Sequence, residues 1–130
     1  MILDTSAIIA ILRDEPDATE LAEAVESAGV RRISAATYVE AAIVTDSNKD
    51  PVLSRSLDSF LQRSLVHVEP VTVEQARLAR EAYRDFGKRR HRAGLNLGDC
   101  FAYALTKDKG EPLLCKGDDF RKTDIEVVQL

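Results

Sequence analysis

Short apolar runs alternate with helical periodicity along the whole chain, and this alternation confines it to one class of fold. The runs are Met1–Leu3, Val30–Ile33, Leu65–Pro70, Pro112–Cys115 and Ile125–Val128. Between them the apolar spacing predicts six helices. The first is short, Ala7–Leu12, with Thr5 or Ser6 as its cap. The second covers about residues 17–28, with Leu21, Val25 and Ala28 at i, i+4, i+7 and Asp17 and Glu20 as a capping box. The third is Ala35–Thr45, capped by Ser34, with Val39, Ala42 and Ile43 as its core stripe. The fourth starts at Pro51 and carries Leu53, Leu57, Phe60 and Leu61. The fifth, capped by Thr72 and Gln75, ends near Phe86 and turns Ala76, Ala79, Tyr83 and Phe86 inward. The sixth is about Asp99–Asp108; residues 46–50 form a loop and 117–123 a turn. Strands that alternate with helices build a mostly parallel sheet covered on both faces. With right-handed crossovers the outcome is an α/β fold, a three-layer α/β/α sandwich formed by residues 1–130 as a single domain. Strand order is not contained in the periodicity.

Composition agrees with a globular domain. The chain has 130 residues, 45% of them apolar and 31% charged, which excludes disordered and collagen-like chains. No apolar run approaches the roughly 18 residues of a membrane span, and the N-terminus has no basic-then-apolar leader. Cys100 and Cys115 read as small core residues in a reducing compartment, which predicts a cytoplasmic protein. The net charge of −4 argues against a uniformly basic nucleic-acid binder. Between residues 84 and 92, however, Arg84, Lys88, Arg89, Arg90 and Arg92 face only Asp85, so a polyanion is met locally.

Ligands of open α/β sheets bind beyond the carboxyl ends of the strands. Asp4 ends the first run, Glu40 stands about two turns into the third helix, Asp99 opens the sixth, and Asp118 and Asp119 follow the fourth run. Asp4, Asp99 and the Asp118–Asp119 pair each have an ordinary structural use as a cap, a helix-dipole partner or a turn. Glu40 is harder to explain that way, because Tyr38, Val39 and the run Ala41–Val44 leave its helix almost no polar face. Together, acids crowded at one rim repel each other unless a divalent cation intervenes. Oxygen-only ligands suit Mg²⁺ or Mn²⁺, and Mg²⁺ is commonly shared with phosphate oxygens. That chemistry is phosphodiester or phosphoryl transfer, with the loop Lys88–Gly98 holding the phosphate backbone.

Four segments carry a resemblance. Ile2-Leu3-Asp4-Thr5-Ser6-Ala7, Ser34-Ala35-Ala36-Thr37-Tyr38-Val39-Glu40, Leu95-Asn96-Leu97-Gly98-Asp99-Cys100 and Leu113-Leu114-Cys115-Lys116-Gly117-Asp118-Asp119-Phe120 resemble, in order, the acidic motifs of PIN-domain ribonucleases. Within that family the chain most resembles the VapC toxins of type II toxin–antitoxin modules. The resemblance implies an Mg²⁺-dependent endoribonuclease, with Mn²⁺ as a substitute ion, that cuts RNA by a metal-activated water. Its acidic centre would be Asp4, Glu40 and Asp99, with Asp4 and Asp99 the most direct metal ligands. Asp118 and Asp119 compete for the place of a fourth acid. Thr5, Ser6 and Asn96 would orient ligands or water, and Lys88, Arg89, Arg90 and Arg92 would contact RNA. The resemblance also implies a homodimer and a small VapB-like antitoxin. The metal reading further requires Asp4, Glu40 and Asp99 to converge on one point.

Two alternatives stand beside this reading. One is a catalytically silent PIN fold that acts through protein partners. The other is a haloacid-dehalogenase-like phosphatase, which needs a second Asp two residues after the first, where this chain has Ser6. Tyr38, Tyr83 and Tyr103 read as core rather than as base-stacking platforms, and His67 as a structural residue of its strand. Leu53, Leu57, Phe60 and Leu61, with Val39 and Ile43, offer apolar surface for pairing with a second copy.

Overall fold

The computed structural model describes residues 1–47 and 49–130. Its elements are β1 (Ile2–Leu3), α1 (Thr5–Leu12), α2 (Ala18–Ser27), β2 (Arg31–Ser34), α3 (Ala35–Ser47), α4 (Pro51–Arg63), β3 (Val66–Glu69), α5 (Val73–Phe86), α6 (Leu97–Lys109) and β4 (Leu113–Leu114). A 3₁₀ turn covers Phe120–Lys122. The sheet is parallel, in the order β3-β2-β1-β4. From β1 the chain winds outward through β2 to β3, then crosses back to place β4 on the other flank of β1. The strand order therefore reverses at β1, which puts the carboxyl end of that strand at the topological switch point.

Side chains alternate across the sheet, as its period of two requires. Ile2 and Leu113 face one layer, where they pack with Ala79, Ala82, Ala102, Leu105 and Phe120. Leu3 and Leu114 face the other, with Ile8, Leu21, Val25, Leu57, Phe60 and Leu61. Helices α5 and α6 cover the first face; α1, α2 and α4 cover the second. This is the three-layer sandwich expected from the sequence.

Several local expectations are corrected. The fifth run, Ile125–Val128, makes one parallel bridge from Val127 to Leu113 and is not a full strand. Asp46 and Ser47 extend α3 instead of opening a loop, and Asn48, in that same stretch, lies outside the described residues. The buried row of α3 is Thr37, Ala41 and Thr45, while Val39 and Ile43 are 52% and 60% exposed. Small residues on that row let α3 lie close to both α1 and α6. On α5 the inward row is Gln75, Ala79 and Ala82, and Tyr83 is 40% exposed. Gln75 does not complete a capping box; its Nε2 donates to Asp108 Oδ2 (2.9 Å). Asp17 makes no cap bond, because its carboxylate is taken by Lys116. Leu57, Phe60 and Leu61 lie in the core and are not available to a second copy.

The arginines of β2, which weaken it as a strand by sequence, have defined uses. Arg31 donates from its guanidinium to the carbonyl oxygens of Val25 (2.5 Å), Glu26 (2.8 Å) and Ser64 (2.9 Å), closing the carboxyl ends of α2 and α4. Helix ends leave such carbonyls without intrahelical partners, and a cation there is also favoured by the helix dipole. Arg32 bridges Glu69 and Glu111. Arg31→Met keeps the stem but removes the donors. It is expected to cost about 2 kcal/mol, the scale of charge-assisted hydrogen bonds, measured by urea denaturation with an unchanged m-value.

Candidate active site

The site begins with a strand that is too short for anything but its own ending. β1 has two residues, both fully buried, so the next residue, Asp4, is carried into the interior edge and is only 4% exposed. Asp4 is also the N-cap of α1: its Oδ2 accepts from Ser6 N (3.1 Å) and Ser6 Oγ (2.6 Å). Ser6 Oγ in turn accepts from Lys116 N (2.9 Å), which ties the end of β1 to the segment after β4. The other carboxylate oxygen, Asp4 Oδ1, is buried with no hydrogen-bond partner among the described residues. Burial pushes the Asp4 carboxyl above its ordinary range, although the Ser6 bonds act the other way.

Glu40 reaches this place from α3. Thr5 Oγ1 donates to its Oε1 (2.5 Å), and on the opposite side its carboxylate lies against Gly98 of α6. A Cβ on Gly98 would run into Glu40 Oε2 and stand 2.6 Å from its Cδ. Asp99 comes from the first turn of α6, where it forms a reciprocal capping box with Asn96. Asp99 N donates to Asn96 Oδ1 (2.9 Å), and Asn96 N donates to Asp99 Oδ2 (3.0 Å). The helix therefore starts two residues before the start expected from the sequence. The Asp99 carboxyl is pushed up to about 6, first by burial and then by the neighbouring charges of Asp4, Glu40 and Asp119.

Asp4, Glu40 and Asp99 line one open cleft of about 400 Å³, together with Thr5, Ser6, Glu15 and Lys116. The rim acids expected from three distant segments thus meet at the switch point. They do not close into a ready-made ligand cluster. Among the described residues, no group of three or more Asp, Glu, His or Cys side chains stands close enough together to hold a metal ion. Each carboxylate has one oxygen engaged in a hydrogen bond, with Ser6, Thr5 or Asn96.

Of the two candidates for a fourth acid, both are exposed. The charge of Asp119 is among those that raise Asp99, and the charge of Asp118 is among those that raise Cys115. Burial pushes the Cys100 thiol up to about 11 and the Cys115 thiol up to about 12. Both are inert core residues, as their sequence context predicts.

Glu15 and Lys116 were not expected here. Lys116 Nζ binds Glu15 Oε1 (2.7 Å) and Asp17 Oδ1 (3.2 Å), clamping the turn before α2 over the cleft. Neither residue lies on a periodic stripe, so the sequence holds no signal for them beyond the place of Lys116 inside the fourth motif. The second Asp that a dehalogenase-type phosphatase would need is Ser6, whose hydroxyl here only holds Asp4 and a backbone N–H.

The basic segment is a compact turn. Lys88 N donates to Leu95 O (2.8 Å) and Leu95 N to Phe86 O (2.9 Å), so the loop closes on itself and projects its cations. His91 is part of that closure: Ala93 N donates to its Nδ1 (3.0 Å), and its ring packs edge-on against Phe86. Lys88, Arg89, Arg90 and Arg92 are exposed.

Comparison with known proteins places this geometry in context. The family model for the PIN domain matches residues 1–126. VapC ribonuclease Mb0625 of Mycobacterium bovis and ribonuclease VapC28 of Mycobacterium tuberculosis are each 59% identical over 127 residues, covering 97% of this chain and 96% of theirs. Ribonuclease VapC30 of Mycobacterium tuberculosis is 50% identical over 130 residues, 100% of this chain and 99% of its own. Among solved structures, Mycobacterium tuberculosis VapC20, described as a sarcin–ricin-loop-cleaving toxin, superposes with a TM-score of 0.79 at 17% identity, covering 99% of this chain and 98% of its own. A toxin–antitoxin complex from Klebsiella pneumoniae gives a TM-score of 0.70 at 17% identity, covering 92% of this chain and 88% of that one. At such identities the two structures speak for the fold alone.

Proposed function

We propose a function from one premise: the chain belongs to the PIN domain family. It is an endoribonuclease of the VapC type, the toxin of a toxin–antitoxin pair, and it hydrolyses RNA phosphodiester bonds. The observation that supports this most strongly is the meeting of Asp4, Glu40 and Asp99, from β1, α3 and α6, in one cleft at the switch point of the sheet.

The donor set fits Mg²⁺, with Mn²⁺ as a substitute. All donors are oxygens, and Asp4 Oδ1 is a buried carboxylate oxygen that lacks a partner among the described residues. Mg²⁺ retains several waters and can be held by one or two protein carboxylates; the three acids share the cleft but, among the described residues, do not converge on one point. Asp4 and Asp99 are the residues to hold it, with Glu40 beside them. When bound, the ion supplies a hydrolytic water at neutral pH and takes up charge developing on the phosphate. The chain's own residues do the positioning. Ser6 fixes the rotamer of Asp4, Thr5 that of Glu40, and Asn96 that of Asp99. Asp119 adds negative charge at the rim. Lys88, Arg89, Arg90 and Arg92 hold the RNA backbone without reading its sequence.

The partners are RNA and a small VapB-like antitoxin. Among the described residues no helix is long and apolar enough to cross a membrane, and the place of action is the cytoplasm, where RNA is met. A homodimer forms through the exposed Val39 and Ile43 of α3; a light-scattering mass of one chain would refute it.

The test is RNA cleavage in Mg²⁺. Cleavage is expected to stop on adding chelator and to return with Mg²⁺ or Mn²⁺. The double substitution Asp4→Asn, Asp99→Asn is expected to remain folded by circular dichroism and to leave RNA intact. Cleavage that survives the double substitution would overturn the assignment.

A further inference from the structure

A second cleft, of about 610 Å³, lies between α5 and the start of α6. Ala76, Arg80 and Tyr83 form one wall, and Leu97, Cys100 and Phe101 the other. We propose that this cleft takes one unstacked nucleobase of the substrate RNA, next to the phosphate being cut; the proposal rests on the ribonuclease reading above.

Position is the first argument. Leu97 and Cys100 bracket Asp99 within the first turn of α6, and one helical turn is about 5.4 Å. The acidic cleft and the apolar cleft thus border the same helical turn and are lined by neighbouring residues of it. Surface chemistry is the second. Leu97 is 73% exposed and Tyr83 40% exposed, so apolar and aromatic surface stands open where a flat apolar group would be buried. The Arg90 guanidinium lies over one face of the Tyr83 ring, 5.9 Å from its centroid, and places a cationic plane at the edge of the cleft. Single-stranded RNA is recognised by bases splayed onto aromatic rings and guanidinium planes.

Charge and polarity are the third. Arg80 and Lys88, at the rim, carry no ion pair among the described residues and face the phosphates on either side of a bound base. Asn96, also on the rim, uses its Oδ1 on Asp99 N, which leaves its Nδ2 to donate to a base edge. An apolar pocket with a few directed polar groups, within about 300–1,000 Å³, is the usual form of a small-ligand site. The Tyr83 ring, expected in the core by sequence, is instead 40% exposed and lines the cleft.

Single-stranded RNA with one 5-iodouridine, irradiated with the whole protein in chelator so that nothing is cut, tests this. The adduct is expected on Tyr83 or Phe101. Ala76 is exposed, so Ala76→Trp fills the cleft without entering the core; it is expected to lower the adduct yield roughly tenfold, within the range of one lost base stack. Adducts elsewhere, or an equal yield in Ala76→Trp, would overturn the proposal. So would a light-scattering mass of two chains that falls to one chain in Ala76→Trp, since a second copy would then occupy the cleft. A wild-type chain that cuts no RNA in Mg²⁺ yet keeps the Tyr83 or Phe101 adduct would refute the ribonuclease reading and leave the base site standing. Cutting without the adduct would do the reverse.

Discussion

Asp99→Asn is expected to lower RNA cleavage by at least about 10³-fold and, in the metal-free protein, to raise thermal stability. The first effect follows from losing a carboxylate that holds the ion. Charge stabilisation by such an ion is worth several kcal/mol in the transition state, and 1.36 kcal/mol is one decade of rate. The second effect has the opposite sign and comes from the same group. In the folded chain the Asp99 carboxyl is pushed up to about 6 from an ordinary 3.8, mainly by burial. Between those two values the folded state holds a proton that the unfolded state has released. Stability therefore falls as pH rises through that window and stays lower above it. Asn carries no such charge, and its Oδ1 still accepts from Asn96 N, so the capping box survives.

After discounting for partial exposure, the gain at pH 7.5 is about 1–2 kcal/mol, or roughly 3–6 °C in melting temperature for a domain of this size. It should vanish near pH 4. Melts in chelator at the two pH values check the sign. Adding Mg²⁺ should then raise the wild-type melting temperature and leave that of Asp99→Asn almost unmoved. A variant that is inactive and also less stable at pH 7.5 would mean that Asp99 serves the fold, not the ion.

Asp4 is buried too, because the strand before it is so short. β1 holds only Ile2 and Leu3, so the chain has no room to bring Asp4 out to solvent before α1 begins. That much is legible in the sequence: an acid that directly follows a buried run is partly buried itself. The layers were legible for a similar reason, since a parallel sheet demands apolar strands and helices with one apolar face. Where periodicity lost its contrast, so did the reading. α3 is apolar nearly all round, from Tyr38 to Val44, and its buried face was decided by close approach to α1 and α6, which selects Thr37, Ala41 and Thr45 over the larger Val39 and Ile43. Asp17 and Gln75 carry the cap pattern, yet partners distant in sequence, Lys116 and Asp108, claim their side chains. No local rule sees a residue 33 or 99 positions away. The fourth acid was undecidable because Asp118 and Asp119 are adjacent, exposed and in a turn.

Gly98→Ala is expected to lower cleavage about 100-fold while leaving the melting temperature within roughly 3 °C. Gly98 has ordinary helical backbone geometry, since the glycines in the left-handed region are Gly94, Gly110 and Gly117. Alanine is thus favoured there by helix propensity, by up to about 1 kcal/mol. What the added methyl meets is the end of the Glu40 side chain, which is flexible and swings away at small cost. Moving it breaks the Thr5 Oγ1 bond (2.5 Å) and withdraws the Glu40 carboxylate from the cleft. Losing the support of a metal-site carboxylate typically costs 10–100-fold. The route through Glu40 is testable by a double-mutant cycle. Glu40→Gln alone should be impaired, and Gly98→Ala added to it should cost little more, because the group it displaces has already lost its charge. Full multiplicativity of the two losses would place the effect of Gly98→Ala elsewhere, in the path of the RNA itself. The glycine between Leu97 and Asp99 then follows from contact geometry: α3 and α6 approach so closely that one of them must do without a side chain for Glu40 to stand beside Asp99.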